Sequence, residues 1–146
     1  MEKGNFFVKK ETNKLIKEEN VFKEIIISII IIIFIIALDF ITQNYTKETV
    51  VQTTAKLSYL KEKIKTDGDK ISNDLEEIYK NWEERGEKLA YFIEHDELEK
   101  VETNLTKIRS FIETNELDMA IGSIDEAKFI LEHIKEKNAF NLENIF

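Results

Sequence analysis

The sequence predicts an all-α chain: an N-terminal transmembrane helix followed by an antiparallel four-helix bundle. Three observations predict it. Residues 24–41 read EIIISIIIIIFIIALDFI, an almost unbroken isoleucine run. The chain of 146 residues has no proline and only four glycines, so few helix breakers interrupt its many Glu, Lys, Leu and Ile residues. Beyond the run, apolar residues recur at steps of three and four, the spacing of one helix face.

The first element is the run itself. From Ile25 to Ile41 is 17 residues, about 26 Å as a helix against a hydrocarbon core of about 30 Å. Val21 and Phe22 extend it, and Lys23 can snorkel to the headgroups. Isoleucine is only a mediocre helix former in water, but a lone segment in lipid has no water to satisfy an open backbone and must be helical. As a strand the run would extend about 58 Å, far beyond ordinary strand lengths.

A cleaved signal fits less well than a retained signal anchor. The head before the run is 24 residues long, and Ala37-Leu38-Asp39 lacks the small third residue of a cleavage site. Lys9, Lys10, Lys14, Lys17 and Lys23 precede the span, whereas only Lys47 and Lys56 follow closely. That asymmetry predicts a cytoplasmic N-terminus and an outer C-terminal domain. Asp39 falls at the outer end of the span, where a carboxylate is hydrated.

Charge divides the chain at the same place. Positions 1–41 carry six lysines against six acidic residues; 42–146 carry 15 Lys+Arg against 23 Asp+Glu, so the entire net charge of −8 lies in the second part. An acidic domain does not suit nucleic acid, which selects Lys/Arg patches. The absence of cysteine excludes disulfides, thiol catalysis, Cys-ligated zinc and a lipid-bearing cysteine. The organisation expected is a cytoplasmic segment at 1–24, a span at 25–41, an extracytoplasmic bundle at 42–135 and a tail at 136–146.

Four stripes make up the bundle. Val50, Thr53, Leu57, Leu60 and Ile64 form the first, on a helix expected to continue from the span. Asp67-Gly68-Asp69 then places a helix-ending glycine beside an N-cap aspartate. Ile71, Leu75, Ile78, Trp82, Leu89 and Phe92 form the second, with Arg85 in the one missing core slot. The phase slips near His95, and Asp96 with Glu99 has capping-box spacing. Leu98, Val101, Leu105, Ile108 and Ile112 form the third. Thr114 and Asn115 offer a further N-cap before Leu117, Ala120, Ile124, Ala127, Leu131 and Ile134. Short connectors between the stripes favour an intramolecular bundle over a coiled-coil dimer. The tail KNAFNLENIF carries Phe140, Leu142, Ile145 and Phe146, which either fold over a seam of the bundle or are held by a partner.

Several residues form a pattern: Trp82, His95, Glu97, Leu98, Glu102, Leu105 and Arg109, then Glu132-His133-Ile134 and the ending Asn141-Leu142-Glu143-Asn144-Ile145-Phe146. On these the chain resembles the bacterial family of domain of unknown function 4363, over about 25–146. The resemblance implies a short protein with one N-terminal membrane segment and a helical outer domain. The family has no established activity, so the resemblance implies place and fold rather than chemistry. The chain departs from it in a longer head, and in Asp69-Lys70-Ile71 where an aromatic residue tends to open the second helix.

The remaining chemistry is weighed residue by residue. His95 lies among Glu94, Asp96, Glu97, Glu99 and Glu102, and His95 with Glu99 has metal-ligand spacing if both share a helix. No converging Glu-x-x-His pair completes such a site, since Glu132-His133 has the wrong spacing and His133 points away from its stripe. His95 therefore reads as a capping or hinge residue. A buried Arg85 requires a carboxylate such as Glu97 or Glu102. Ser58, Ser72, Ser110 and Ser123 have no histidine nearby in sequence, and Asp67-Gly68-Asp69 fails as a calcium loop at Ile71 and Ser72. No phosphate-binding glycine loop or zinc-protease helix is present.

The expected function is a membrane-anchored interaction module without catalytic residues, metal or cofactor. Its partners are the bilayer through 25–41 and another membrane protein or a second copy, engaged through a polar cluster of Trp82, Arg85, His95, Glu97, Glu102 and Arg109 and through the tail residues Asn141, Leu142, Asn144, Ile145 and Phe146. The alternative is a ligand-sensing bundle; a metal-dependent envelope enzyme is a distant third.

Overall fold

The computed structural model describes the backbone of residues 2–66 and 71–139 and the side chains of 18–66 and 71–139. Within them the chain is entirely helical: α1 (Glu2–Thr66), α2 (Ile71–Leu89), α3 (His95–Glu113) and α4 (Leu117–Lys137). It divides into two units, Met1–Ile41 and Thr42–Phe146. The expected break at Asp67-Gly68-Asp69, the tail from Phe140 onward and the side chains of Lys9, Lys10, Lys14 and Lys17 lie outside the described residues.

The first unit holds the isoleucine run, and every residue from 18 to 41 is exposed. The helix is long and apolar enough to cross a membrane. Its one interior hydroxyl, on Ser28, donates to the Glu24 carbonyl at 2.8 Å, which satisfies the group without water. Lys23 pairs with Glu19 one turn back at 2.7 Å.

The second unit has one hydrophobic core drawn from all four helices. Val50, Thr53, Leu57, Leu60 and Ile64 of α1 are buried, as are Ile71, Leu75, Ile78, Trp82 and Leu89 of α2. Leu98, Val101, Leu105 and Ile108 of α3 meet Ala120, Ile124, Ala127, Leu131 and Ile134 of α4 there. Phe92, Ile112 and Leu117 pack against its margin. The stripes end up inside because each helix buries only the face on which its apolar residues repeat.

Cross-helix pairs record the register. Lys56 meets Glu77 at 2.8 Å, and Lys63 meets Asp74, between α1 and α2. Arg109 of α3 bonds Glu76 of α2 at 2.8 Å. Lys107 reaches Glu126 at 3.5 Å between α3 and α4. Lys61 of α1 bonds Asp125 of α4 at 2.6 Å.

Two helix caps differ from the sequence expectation. Helix α3 begins at His95 after Glu94, with no side-chain capping bond, rather than at an Asp96 cap. Asp96 and Glu97 instead lie in its first turn, where their charges favour the helix dipole. Thr114 and Asn115 close α3 rather than cap α4. Asn115 has φ 59°, its N–H donates to Ile112 at 3.1 Å, and that of Glu116 donates to Phe111 at 2.7 Å. This pair of bonds is a Schellman closure, and asparagine tolerates the left-handed backbone it needs.

Two stability changes follow from these positions. Trp82 is 4% exposed in the core, so Trp82→Ala lowers unfolding free energy by about 3–5 kcal/mol in urea melts followed by circular dichroism. A loss below about 1 kcal/mol would place Trp82 outside the load-carrying core. Asn115→Val costs about 1–2 kcal/mol in the same melts and Asn115→Gly does not, because that φ crowds any Cβ, a branched one most, and glycine has none.

Candidate functional site

The residues expected to form one polar cluster occupy separate places. Trp82 belongs to the core. His95 is exposed at the first position of α3. Glu102 is exposed on α3, and its Thr106 neighbour one turn on donates a hydroxyl to the Glu102 carbonyl at 3.0 Å.

Arg109 makes a contact on the α2 surface. Its guanidinium lies 3.7 Å from the centre of the Tyr79 ring and bonds Glu76. Such stacking on an aromatic face suits the planar, weakly hydrated arginine head. Burial pushes the Tyr79 phenol above its ordinary ionisation range, against the opposing pull of the Thr106 hydroxyl and the Arg109 charge.

Arg85 does not pair with Glu97 or Glu102. Its guanidinium donates to Thr49 Oγ1 at 3.2 Å and to Glu48 at 3.4 Å, and sits 5.9 Å from the Tyr45 ring. The reason is register: the α2 face carrying Arg85 meets α1, while Glu97 lies on α3 beside the end of α4.

Glu97 is the one buried acidic side chain among the described residues, 7% exposed. Lys137 Nζ donates to it at 2.9 Å and to Glu94 at 2.9 Å. His133 Nε2 lies 3.8 Å away, with its ring mostly in solvent. A step further in, Asn138 donates its amide to Thr46 Oγ1 at 2.9 Å. Thr46 in turn donates to the Thr42 carbonyl at 2.9 Å. The end of the second unit at which Thr42 enters thus holds a polar layer built from all four helices: Thr46 and Thr49, Arg85, Glu97, and Lys137 with Asn138. A cleft of about 170 Å³ opens there, lined by Phe92, Ile93, Glu94, Glu97, Lys137 and Asn138, together with Ile134.

Sequence reasoning missed Lys137, Asn138, Thr46 and Thr49. Two of them left a signal: Thr46 and Thr49 continue the Val50–Thr53–Leu57 stripe in phase. Lys137 and Asn138 left none, since a lysine ending a helix is ordinarily solvated.

A larger open cleft of about 700 Å³ runs along α3 and α4 between Lys100, Lys107, Glu126 and Phe129. Asn104 borders it and is 2% exposed; its amide nitrogen bonds the Lys100 carbonyl at 3.0 Å. Among the described residues no three His, Asp or Glu side chains converge as a metal ion would require.

The class these features define is an all-helical module behind a long apolar N-terminal helix. The chain belongs to the family described as Domain of unknown function (DUF4363), whose pattern it matches over residues 40–145. No curated protein and no solved structure matches it.

The Glu94–Lys137–Glu97 contact sets a pH dependence. Hydrogen bonding to Lys137 and its charge hold the Glu94 carboxyl below 4.5, so its contribution is present above that value and lost as pH falls through the lowered one. The bonds from Glu97 and Glu94 raise Lys137 above 10.5, so its contribution is full below 10.5 and lost as pH rises through the raised value. Lys137→Met removes both slopes from the urea midpoint and destabilises the fold at neutral pH by stranding Glu97. Glu97→Gln in the same chain recovers most of that loss.

Proposed function

We propose that this chain is a single-pass membrane protein whose outer helical module pairs with another membrane protein or a second copy of itself, and has no catalysis of its own. The observation that carries this reading is the isoleucine run. All of 25–41 is exposed, a surface far larger and more apolar than water tolerates and of the length a bilayer accepts. In this reading residues 1–24 are cytoplasmic, because lysines crowd that flank, and 42–135 form the extracytoplasmic domain.

The module is read as an antiparallel four-helix bundle. Support comes from the order of its pairs: early α1 residues meet late α2 residues (Thr49 with Arg85), and late α1 residues meet early ones (Lys63 with Asp74). The same inversion relates α3 to α4, through Glu97 with Lys137 and Lys107 with Glu126. The partner contact is assigned to Asn141, Leu142, Asn144, Ile145 and Phe146, which mix apolar and amide side chains.

A second reading, a ligand-binding bundle, is favoured only by the α3–α4 cleft with Lys100 and Lys107 beside Phe129. Crosslinking of a tagged chain in intact cells, followed by mass spectrometry, separates the two. A single abundant membrane partner is expected, and it is lost when 140–146 are removed while circular dichroism of the purified chain stays helical. Recovery of the chain without any partner would favour the ligand reading, and unfolding on truncation would make the tail part of the core.

A further inference from the structure

The two connectors described in the second unit have opposite characters. At the end away from Thr42, α3 and α4 are joined by Thr114-Asn115-Glu116, all polar and all exposed. That is ordinary chemistry for a turn in water. At the end where Thr42 enters, α2 passes to α3 through Ala90-Tyr91-Phe92-Ile93-Glu94, whose first four residues include no Gly, Asn, Asp or Ser and whose one charged residue is the last. Tyr91 is 88% exposed, more than any other large hydrophobic side chain described. Phe92 and Ile93 are partly exposed.

This turn is held in place. The Phe92 and Ile93 N–H groups donate to the Leu89 carbonyl at 3.0 and 2.8 Å. The Phe92 ring meets Tyr45 of α1 edge-on at 6.3 Å. Tyr45 is four residues from Ile41, a chain reach of at most about 14 Å in any conformation. The turn is thus tied to a point within that reach of the last residue of the isoleucine run. A tyrosine has an apolar ring and a polar tip, and such side chains concentrate where hydrocarbon gives way to headgroups.

We infer that the α2–α3 turn is a second membrane contact of this protein, with Tyr91 seated in the headgroup region of the bilayer. The occupant is lipid rather than a protein partner because the patch is a few residues across and its Phe92 ring is tied to Tyr45, which is within chain reach of the last residue of the run. The ring, not charge, makes the contact, since Glu94, His95 and Asp96 follow it and would not attract an anionic surface. The inference rests on the reading that 25–41 crosses the membrane.

The test uses the full chain in phosphatidylcholine vesicles. The native sequence has no cysteine, so Ala90→Cys, Met119→Cys and Phe40→Cys each provide a unique site for a nitroxide label, with Tyr91 kept. All three replace exposed side chains, which spares the core. Collision of the label with oxygen, which concentrates in lipid, is compared with collision with a water-soluble nickel chelate. The expected result is an oxygen-to-nickel ratio at Ala90→Cys several-fold above that at Met119→Cys and below that at Phe40→Cys, falling toward the Met119→Cys value when Tyr91→Ser is added. An Ala90→Cys ratio equal to that of Met119→Cys, with Phe40→Cys still in lipid, overturns the turn contact and leaves the span intact. An aqueous ratio at Phe40→Cys overturns the span and the inference together.

Discussion

Each helix of the second unit has one apolar stripe, and none can bury it alone. That constraint governs the rest of the structure. Isolated helices of the size of α2, α3 and α4 are marginal in water, because their internal hydrogen bonds barely offset the order they impose. Mutual coverage of Leu57, Leu60, Leu89, Leu105, Ile108, Ile124 and Leu131, all fully buried, supplies what propensity does not. Along α4 the buried positions alternate small and large, with Ala120, Ser123 and Ala127 beside Ile124, Leu131 and Ile134. Small side chains there let α3 approach closely, and the Schellman closure at Asn115 turns the chain back within three residues.

The core is not uniform from end to end. Toward Ile64 and Ile71 it is mostly hydrocarbon; toward Thr42 it holds buried Thr46, Thr49 and Glu97, which are bonded from the margin by Arg85, Asn138 and the exposed Lys137. Burying such groups costs desolvation, and an apolar set of the same shape would be at least as stable. What the polar layer adds is direction. Thr46 with Asn138, Thr49 with Arg85 and Glu97 with Lys137 each join different helices at fixed atoms. A slip by one turn would leave the Glu97 carboxylate buried without its cation. Aliphatic stripes repeating every three or four residues tolerate such a slip more easily, so the hydrogen-bonded end specifies alignment and the hydrocarbon end supplies cohesion.

Much of this was legible in the sequence, and what was not has a common cause. The stripes Val50 to Ile64, Ile71 to Leu89, Leu98 to Ile108 and Ala120 to Ile134 could be read because periodicity is local and one face of a helix must turn inward. The pairing of Arg85 could not. Its slot in the stripe indicated partial burial, but the choice between Glu48 and Glu97 depends on which helix lies beside α2 on that face. Lys137 was invisible for the same reason. The caps failed differently: Asp96 and Asn115 are good N-cap residues by type, yet asparagine also serves the left-handed closing position. Only the backbone of α3 distinguishes those uses.

The family match begins at residue 40, where the isoleucine run ends, and the physics of the two units explains why. A bilayer asks a span for length and apolarity, so Ile, Leu, Val and Phe exchange freely along it. A packed helical unit asks for specific volumes at specific places, and in this chain also for a positive φ at Asn115 and a cation opposite Glu97. Demands of that kind leave a recognisable pattern; a run that need only be long and apolar does not. On the reading proposed above, the run is the anchor and any partner contact belongs to the surface that the buried stripes and the polar layer keep in register.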